Sequence, residues 1–260
     1  MSVRRLLPLL LLLLLALFGC AHAPARNPLA IWMPSPNVSA RRAQLIVLHA
    51  TESPSFASAL DALRDRRAAA PVSAHYLIAE DGTRYQLAPD AARAWHAGAG
   101  QWGDLEDINS ASLGIELDHR GDAPYPPTQI ASLIVLLRDL TTRLGIDPRQ
   151  VIGHADLAPA RKSDPGPTFP WGELAAAGFG RWPREPLPQP PDGFNPWLAL
   201  RLIGYPLDDR AATVRAFHEH YRGDRADTLD ARDAAILYDL QQQLLAPATA
   251  SNPPDDKAYP

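Results

Sequence analysis

One cysteine stands in the 260 residues, Cys20, so no disulfide can close within the chain and no thiolate cluster can hold a metal. Positive charge is not in excess either. The 25 Lys and Arg face 29 Asp and Glu, and a net charge of -4 withholds the cationic surface that phosphate-backbone binding relies on. Nucleic acid is therefore not an expected partner. Long apolar runs are equally scarce. The run from Leu6 to Phe18 falls short of the roughly 20 residues a bilayer-spanning helix needs, so a permanent transmembrane helix is not expected.

What is present is globular: 46% hydrophobic residues are ample for a packed core, and the length suits one medium domain plus something smaller. Arg4 and Arg5, the apolar run, then Gly19 and Cys20 have the layout of an export signal over residues 1–19. The ending "LFGC" resembles a lipoprotein lipobox, in which the cysteine becomes the lipidated first residue. That resemblance makes Cys20 the lipidation site and the lipid the chain's contact with a membrane. With Ala21 rather than Asp following, sorting by analogy with enterobacterial lipoproteins points to the outer membrane, facing the periplasm. Residues 20–40, rich in Pro, Ala and Ser and without a helical or strand period, read as a tether.

The folded part opens on "AQLIVLH", a short apolar run fit for a buried strand that ends at His49. A helix follows, with Phe56, Leu60 and Leu63 at helical spacing. "AHYLIAEDGTRYQLA" reads as two strands around the Asp81-Gly82 turn. In "SLGIELD", Leu113, Ile115 and Leu117 alternate with Gly114, Glu116 and Asp118, which sets Glu116 on the face away from the apolar set. From Thr128 to Leu144 the apolar positions 130, 133, 134, 137, 140 and 144 predict a helix that Gly145 stops. A last strand around "QVIG" delivers His154. Strands and helices interleave, which predicts an α/β fold with a mixed central sheet and flanking helices over residues 41–180. A Pro-rich linker over 181–196 leads to three amphipathic segments at 197–245, a small all-helical C-terminal module, and a polar tail over 246–260 is expected to be disordered.

Without thiolates, zinc favours His nitrogen and carboxylate oxygen converging from rigid elements. His49 and His154 end two inferred strands, and Asp164 lies on a loop that Pro159, Pro165 and Pro167 stiffen. Two His and one carboxylate leave a fourth position for water, the composition of a catalytic zinc site. Each residue alone has a simpler reading: hydrogen-bonded structural histidines, a turn aspartate in "SDPG", a solvated surface Lys162.

Together, "LIVLHAT", "VSAHYLI", "RAWHAGAG", "SLGIELD" and "VIGHADLAPARKSDPGPTFPW", in that order, resemble the zinc-dependent N-acetylmuramoyl-L-alanine amidases of the type 2 family, related to peptidoglycan recognition proteins and phage T7 lysozyme. The resemblance covers roughly residues 41 to 178. It implies one zinc per chain held by His49, His154 and Asp164, with Glu116 as general base and Lys162 stabilising the oxyanion. It implies peptidoglycan or muropeptides as partners. His75, Trp95, His96, Asn109 and Arg161 fall in matching motifs and are candidates to bind substrate, although Trp95 reads equally as core packing and His75 as structural. The C-terminal module resembles helical peptidoglycan-binding domains, or else is a helical cap on the catalytic part. Two other functions remain open at this level: a peptidoglycan-binding protein that does not cut, and a zinc peptidase acting within the stem peptide.

Overall fold

Strand β3 (Leu45–Ala50) is buried at every position because parallel strands β7 (Ser112–Leu117) and β8 (Val151–Gly153) flank it on both sides. In the computed structural model, which describes residues 26–40, 43–121 and 123–246, three further strands, β1 (Ile31–Trp32), β4 (Tyr76–Ile78) and β5 (Arg84–Gln86), complete a six-stranded main sheet in the order β1-β5-β4-β7-β3-β8. The expected hairpin is there. β4 (Tyr76–Ile78) and β5 (Arg84–Gln86) pair antiparallel, while β4–β7, β7–β3, β3–β8 and β1–β5 are parallel, so the sheet is mixed. The hairpin turns at Gly82, whose φ of 86° suits glycine, and the Asp81 carboxylate accepts from the Thr83 N–H.

Successive side chains of β3 feed two different cores. Ile46 and Leu48 join Leu113, Ile115 and Leu117 of β7 and the long helix α3 (Pro127–Leu144) on one face. Leu45 and Val47 join the opposite face. The buried stripe of α3 is Ile130, Leu133, Leu136, Leu137 and Leu140. Leu136 widens the expected stripe, and Leu144 at the final turn is exposed, just before Gly145 ends the helix at a φ of 65°. Shorter helices α1 (Phe56–Ala62), α2 (Ile108–Ala111), α4 (His154–Leu157) and α5 (Trp171–Ala176) fill the connections.

The opposite face is covered by α6 (Pro196–Ile203), α7 (Arg210–Tyr221) and α8 (Ala231–Leu245), each capped by an Asn or Asp side chain accepting from its first turn. Leu200, Phe217, Leu237 and Leu240 from these helices share one cluster with Leu45, Val47 and Ile152 of the sheet. The module thus packs on the sheet and covers its second face. The Pro-rich segment before it has no helix or strand but is pinned, with Arg184 donating to Asp239 at 2.7 and 2.9 Å and Trp182 packed against both clusters.

The tether expected over residues 20–40 is corrected where it is described. β1 (Ile31–Trp32) adds a strand to the sheet edge, and β2 (Val38–Ala40) pairs with β6 (Ala92–Ala94) in a second, two-stranded sheet. Asn27 is buried, its side-chain amide donating to Asp139 at 2.8 Å, its backbone N–H donating to Gln86 Oε1 at 2.9 Å, and its Oδ1 accepting from the Leu29 N–H at 2.8 Å. Strands of two and three residues are too short to show a period, which is why composition alone suggested a free segment. The export signal, Cys20 and the tail from 247 onward lie outside the described residues. Among the described residues no helix is long and apolar enough to cross a membrane.

Candidate active site

His49 and Glu116 are direct partners across the parallel β3–β7 ladder, so their side chains leave the sheet on the same face near its carboxyl end. His154 emerges where β8 stops. The proline-stiffened loop that carries Asp164 starts later: residues 154–157 first make one helical turn, since the prolines begin only at Pro159. The chain then folds back. The Arg161 and Lys162 N–H groups donate to the Ala158 carbonyl at 2.9 Å, and the Ala155 N–H donates to the Asp164 carbonyl at 2.9 Å, which returns Asp164 to His154. The Tyr125 hydroxyl donates to the Pro165 carbonyl at 2.7 Å and holds the far side of the loop.

Three ligand atoms therefore converge. His49 Nδ1 and His154 Nδ1 lie 2.9 Å apart, and each is 3.1 Å from Asp164 Oδ2. All three side chains are buried. A tetrahedral zinc with bonds near 2.0–2.1 Å separates its ligand atoms by about 3.3 Å, so this triangle fits a metal of that size with slight opening. The outward nitrogens are also committed. His154 Nε2–H donates to the Ala97 carbonyl at 2.8 Å, and His49 Nε2 is 3.0 Å from His96 Nδ1. Outward bonds of this kind leave the inner nitrogens with lone pairs free for a metal. Further along, His96 Nε2 is 3.2 Å from Ser112 Oγ, whose hydroxyl donates to the Ile108 carbonyl at 2.5 Å.

The electrostatics match a ligand set. Burial, then the neighbouring His154, push the His49 imidazole down to about 4, so it is neutral and able to coordinate at pH 7. Burial raises the Asp164 carboxyl, but hydrogen bonds from His154 and His49 outweigh it and hold the group ionised, well below the usual carboxylate range. Glu116 goes the other way. Burial first, and the Asp164 charge second, push it up to about 8, and its Oε2 is enclosed without a hydrogen-bond partner. A dication at the triad would oppose both effects.

Glu116, Lys162, His96 and the three converging residues line one cleft of about 170 Å³, whose other wall is Ala59, Ala62 and Leu63 of the α1 region with Val72 and Ser73. Larger cavities of about 700 and 500 Å³ lie elsewhere and contain none of these groups except that the second borders Arg161. The chemistry, not the volume, marks the site.

Of the substrate-binding candidates, the structure redirects most. His75 is fully buried, its Nδ1 accepting from Gly114 and its Nε2–H donating to the Ala92 carbonyl, so it ties strands together. Asn109 Oδ1 accepts from the His96 and Ala97 N–H groups at 3.0 and 2.9 Å, which positions the Ala97 carbonyl beneath His154. Arg161 donates to the Ala97 and Ala99 carbonyls and braces the same turn. Trp95 is half-buried and does not line the cleft. His96 alone of these five lines it. These residues sit in the right motifs, but their partners are backbone groups that no local pattern announces. Asp156, missed altogether from sequence, is buried in the same helical turn as His154.

A mixed sheet that presents a buried His-His-Asp triangle able to hold a metal, beside an enclosed Glu and a Lys, has the make-up of a hydrolase site. Residues 39–167 match the N-acetylmuramoyl-L-alanine amidase family. The chain is 42% identical over 183 residues to the Escherichia coli N-acetylmuramoyl-L-alanine amidase AmiD, covering 64% of this chain and 62% of that one. It is 39% identical over 105 residues to the Enterobacter cloacae 1,6-anhydro-N-acetylmuramyl-L-alanine amidase AmpD, 40% of this chain and 56% of that one. The alignments thus span less than two thirds of these curated relatives. Among solved structures, E. coli AmiD in complex with anhydro-N-acetylmuramic acid-L-Ala-D-γ-Glu-L-Lys superposes with a TM-score of 0.71 at 33% identity, covering 79% of this chain and 91% of that one. Pseudomonas aeruginosa AmpDh3 gives 0.70 at 31% identity, with 87% and 98% covered. The chain belongs to the type 2 N-acetylmuramoyl-L-alanine amidase family.

Proposed function

We propose that this chain hydrolyses the amide between the lactyl group of N-acetylmuramic acid and L-alanine in peptidoglycan or muropeptides, using one zinc held by His49, His154 and Asp164. The observation that carries the reading is the convergence of Nδ1, Nδ1 and Oδ2 within 3.1 Å of one another, with Glu116 and Lys162 in the same cleft. Zinc, when bound, supplies a Lewis acid and brings the pKa of a water to about 7. Glu116 takes the proton as the water oxygen bonds to the carbonyl carbon, and passes it to the alanine nitrogen as the C–N bond breaks. Its Oε2 is enclosed with no competing hydrogen-bond partner. Lys162 donates to the oxygen that gains charge, and one such donor is worth roughly 3 kcal/mol.

The signal-like segment and Cys20 support a second element of the proposal: lipid anchoring at the outer membrane, facing the periplasm, where peptidoglycan lies. His154→Ala and Asp164→Ala test the site. Each should lose zinc on dialysis and lose hydrolysis together, read by metal analysis and by release of stem peptide. Full activity in a zinc-free preparation would overturn the reading.

A further inference from the structure

Asp156 belongs to the helical turn that begins with His154, and the residue is 1% exposed. Oδ2 accepts from the N–H of Gly153, the residue just before His154, at 2.7 Å. Its other partners come from the C-terminal module, Tyr205 from the connection after α6 and His220 from α7. The Tyr205 hydroxyl donates to Oδ1 at 2.6 Å, and His220 Nδ1–H donates to Oδ2 at 2.8 Å. Because a carboxylate only accepts, this contact assigns the hydrogen of His220 to Nδ1. The same imidazole stacks flat on Trp171, with centroids 3.8 Å apart and planes 10° apart, and Trp171 closes the proline-rich loop that carries Asp164. One side chain of α7 thus grips both arms of the segment that holds two of the converging ligands.

Packing alone does not call for these groups. His220 Nε2 is buried without a partner, a cost that an apolar residue of similar size at this position would not incur. Nor is the contact incidental to a tethered module. Leu157, from the His154 turn, lies in the same apolar cluster as Ala199, Leu200 and Phe217. A carboxylate with three donors fixed in a dry environment is stiff, and outer contacts that orient metal ligands typically change metal affinity about 10–100-fold when removed.

We propose that the C-terminal helices are part of the scaffold of the metal centre: Tyr205 and His220 are positioning residues that act through Asp156 to hold His154 in its ligating pose. The inference rests on the reading of His49, His154 and Asp164 as zinc ligands. It gives the C-terminal helices a role in metal binding, beyond covering the sheet.

The test measures zinc affinity of the full chain by competition with a chromophoric chelator, alongside unfolding of the metal-free protein. Tyr205→Phe removes one hydroxyl and His220→Leu removes the ring's donor. Each should weaken zinc binding about tenfold, and the double variant by no more than a single variant of Asp156→Asn if all act through that carboxylate. Asp239→Asn serves as the control. It cuts the link from Arg184 to the same helices without touching Asp156, and should lower stability while leaving zinc affinity as in the wild type. Tyr205→Phe and His220→Leu that lose stability but bind zinc like the wild type would overturn the inference while leaving the site reading intact. A wild-type chain that binds no zinc would overturn both.

Discussion

Replacing Glu116 by Gln keeps the shape of the side chain and removes its titration, which makes the cost of enclosing this carboxylate measurable. In the metal-free protein the carboxyl is raised from its ordinary 4.5 to about 8, with burial the larger cause and Asp164 the second. The folded chain therefore holds a proton that the unfolded chain releases above pH 4.5. Its contribution to stability is whole below that pH and is lost as pH rises through about 8. The full shift amounts to at most roughly 5 kcal/mol, and relaxation around the ionised group lowers what is realised to about 2 kcal/mol. Urea unfolding of metal-free protein at pH 5, 7 and 9 reads it directly. Wild type should lose about 2 kcal/mol more than Glu116→Gln between pH 5 and 9, and zinc should erase the difference by favouring the carboxylate. Parallel pH profiles for the two metal-free proteins would refute the argument that Glu116 is desolvated beside Asp164.

The remaining expectations are narrower. Glu116→Gln should retain zinc yet lose about 10²–10⁴-fold in turnover, the range for a positioned proton-transfer group, as read by stem-peptide release. Lys162→Ala should lower kcat by about 10²–10³-fold with zinc content unchanged, whereas a loss seen only in KM would assign Lys162 to substrate binding. Asn109→Ala removes the acceptor that seats the His96 and Ala97 amides, and should weaken zinc affinity about tenfold in chelator competition. In the metal-free protein the depressed His49 resists protonation, so its contribution to stability is present above about pH 6.5 and falls as pH drops toward about 4. His49→Gln, which does not titrate, should flatten that limb of the unfolding profile.

Much of the frame was legible because its signals are local. The alternation of Leu113, Ile115 and Leu117 against Glu116 placed that carboxylate on the face away from one core, and the three- and four-residue spacing of α3 located the other layer. The Asp81-Gly82 turn and the glycine stop at Gly145 were likewise readable residue by residue. The parts that escaped depend on partners far along the chain. Asp156 meets Tyr205 and His220 across 49 and 64 residues, and Asn27 meets Asp139 across 112. No propensity or period encodes such meetings. For the same reason the sequence offers Arg161 and Asn109 as substrate-binding candidates, while the bonds between Arg161 and the Ala97 carbonyl and between the Asn109 oxygen and the His96 and Ala97 amides are not visible in it. The site shows both kinds of information: its composition lies in five short motifs, and its rigidity lies in contacts between them.

The bond that is cut is the most direct test of the account. Purified full-length protein loaded with zinc is incubated with soluble muropeptides and with intact sacculi, and the products are weighed by mass spectrometry. The account predicts intact stem peptides with a free L-alanine amino terminus, together with muramic acid bearing a free lactyl carboxylate. Products that still join muramic acid to L-alanine, or substrate that is bound and left whole, would contradict it.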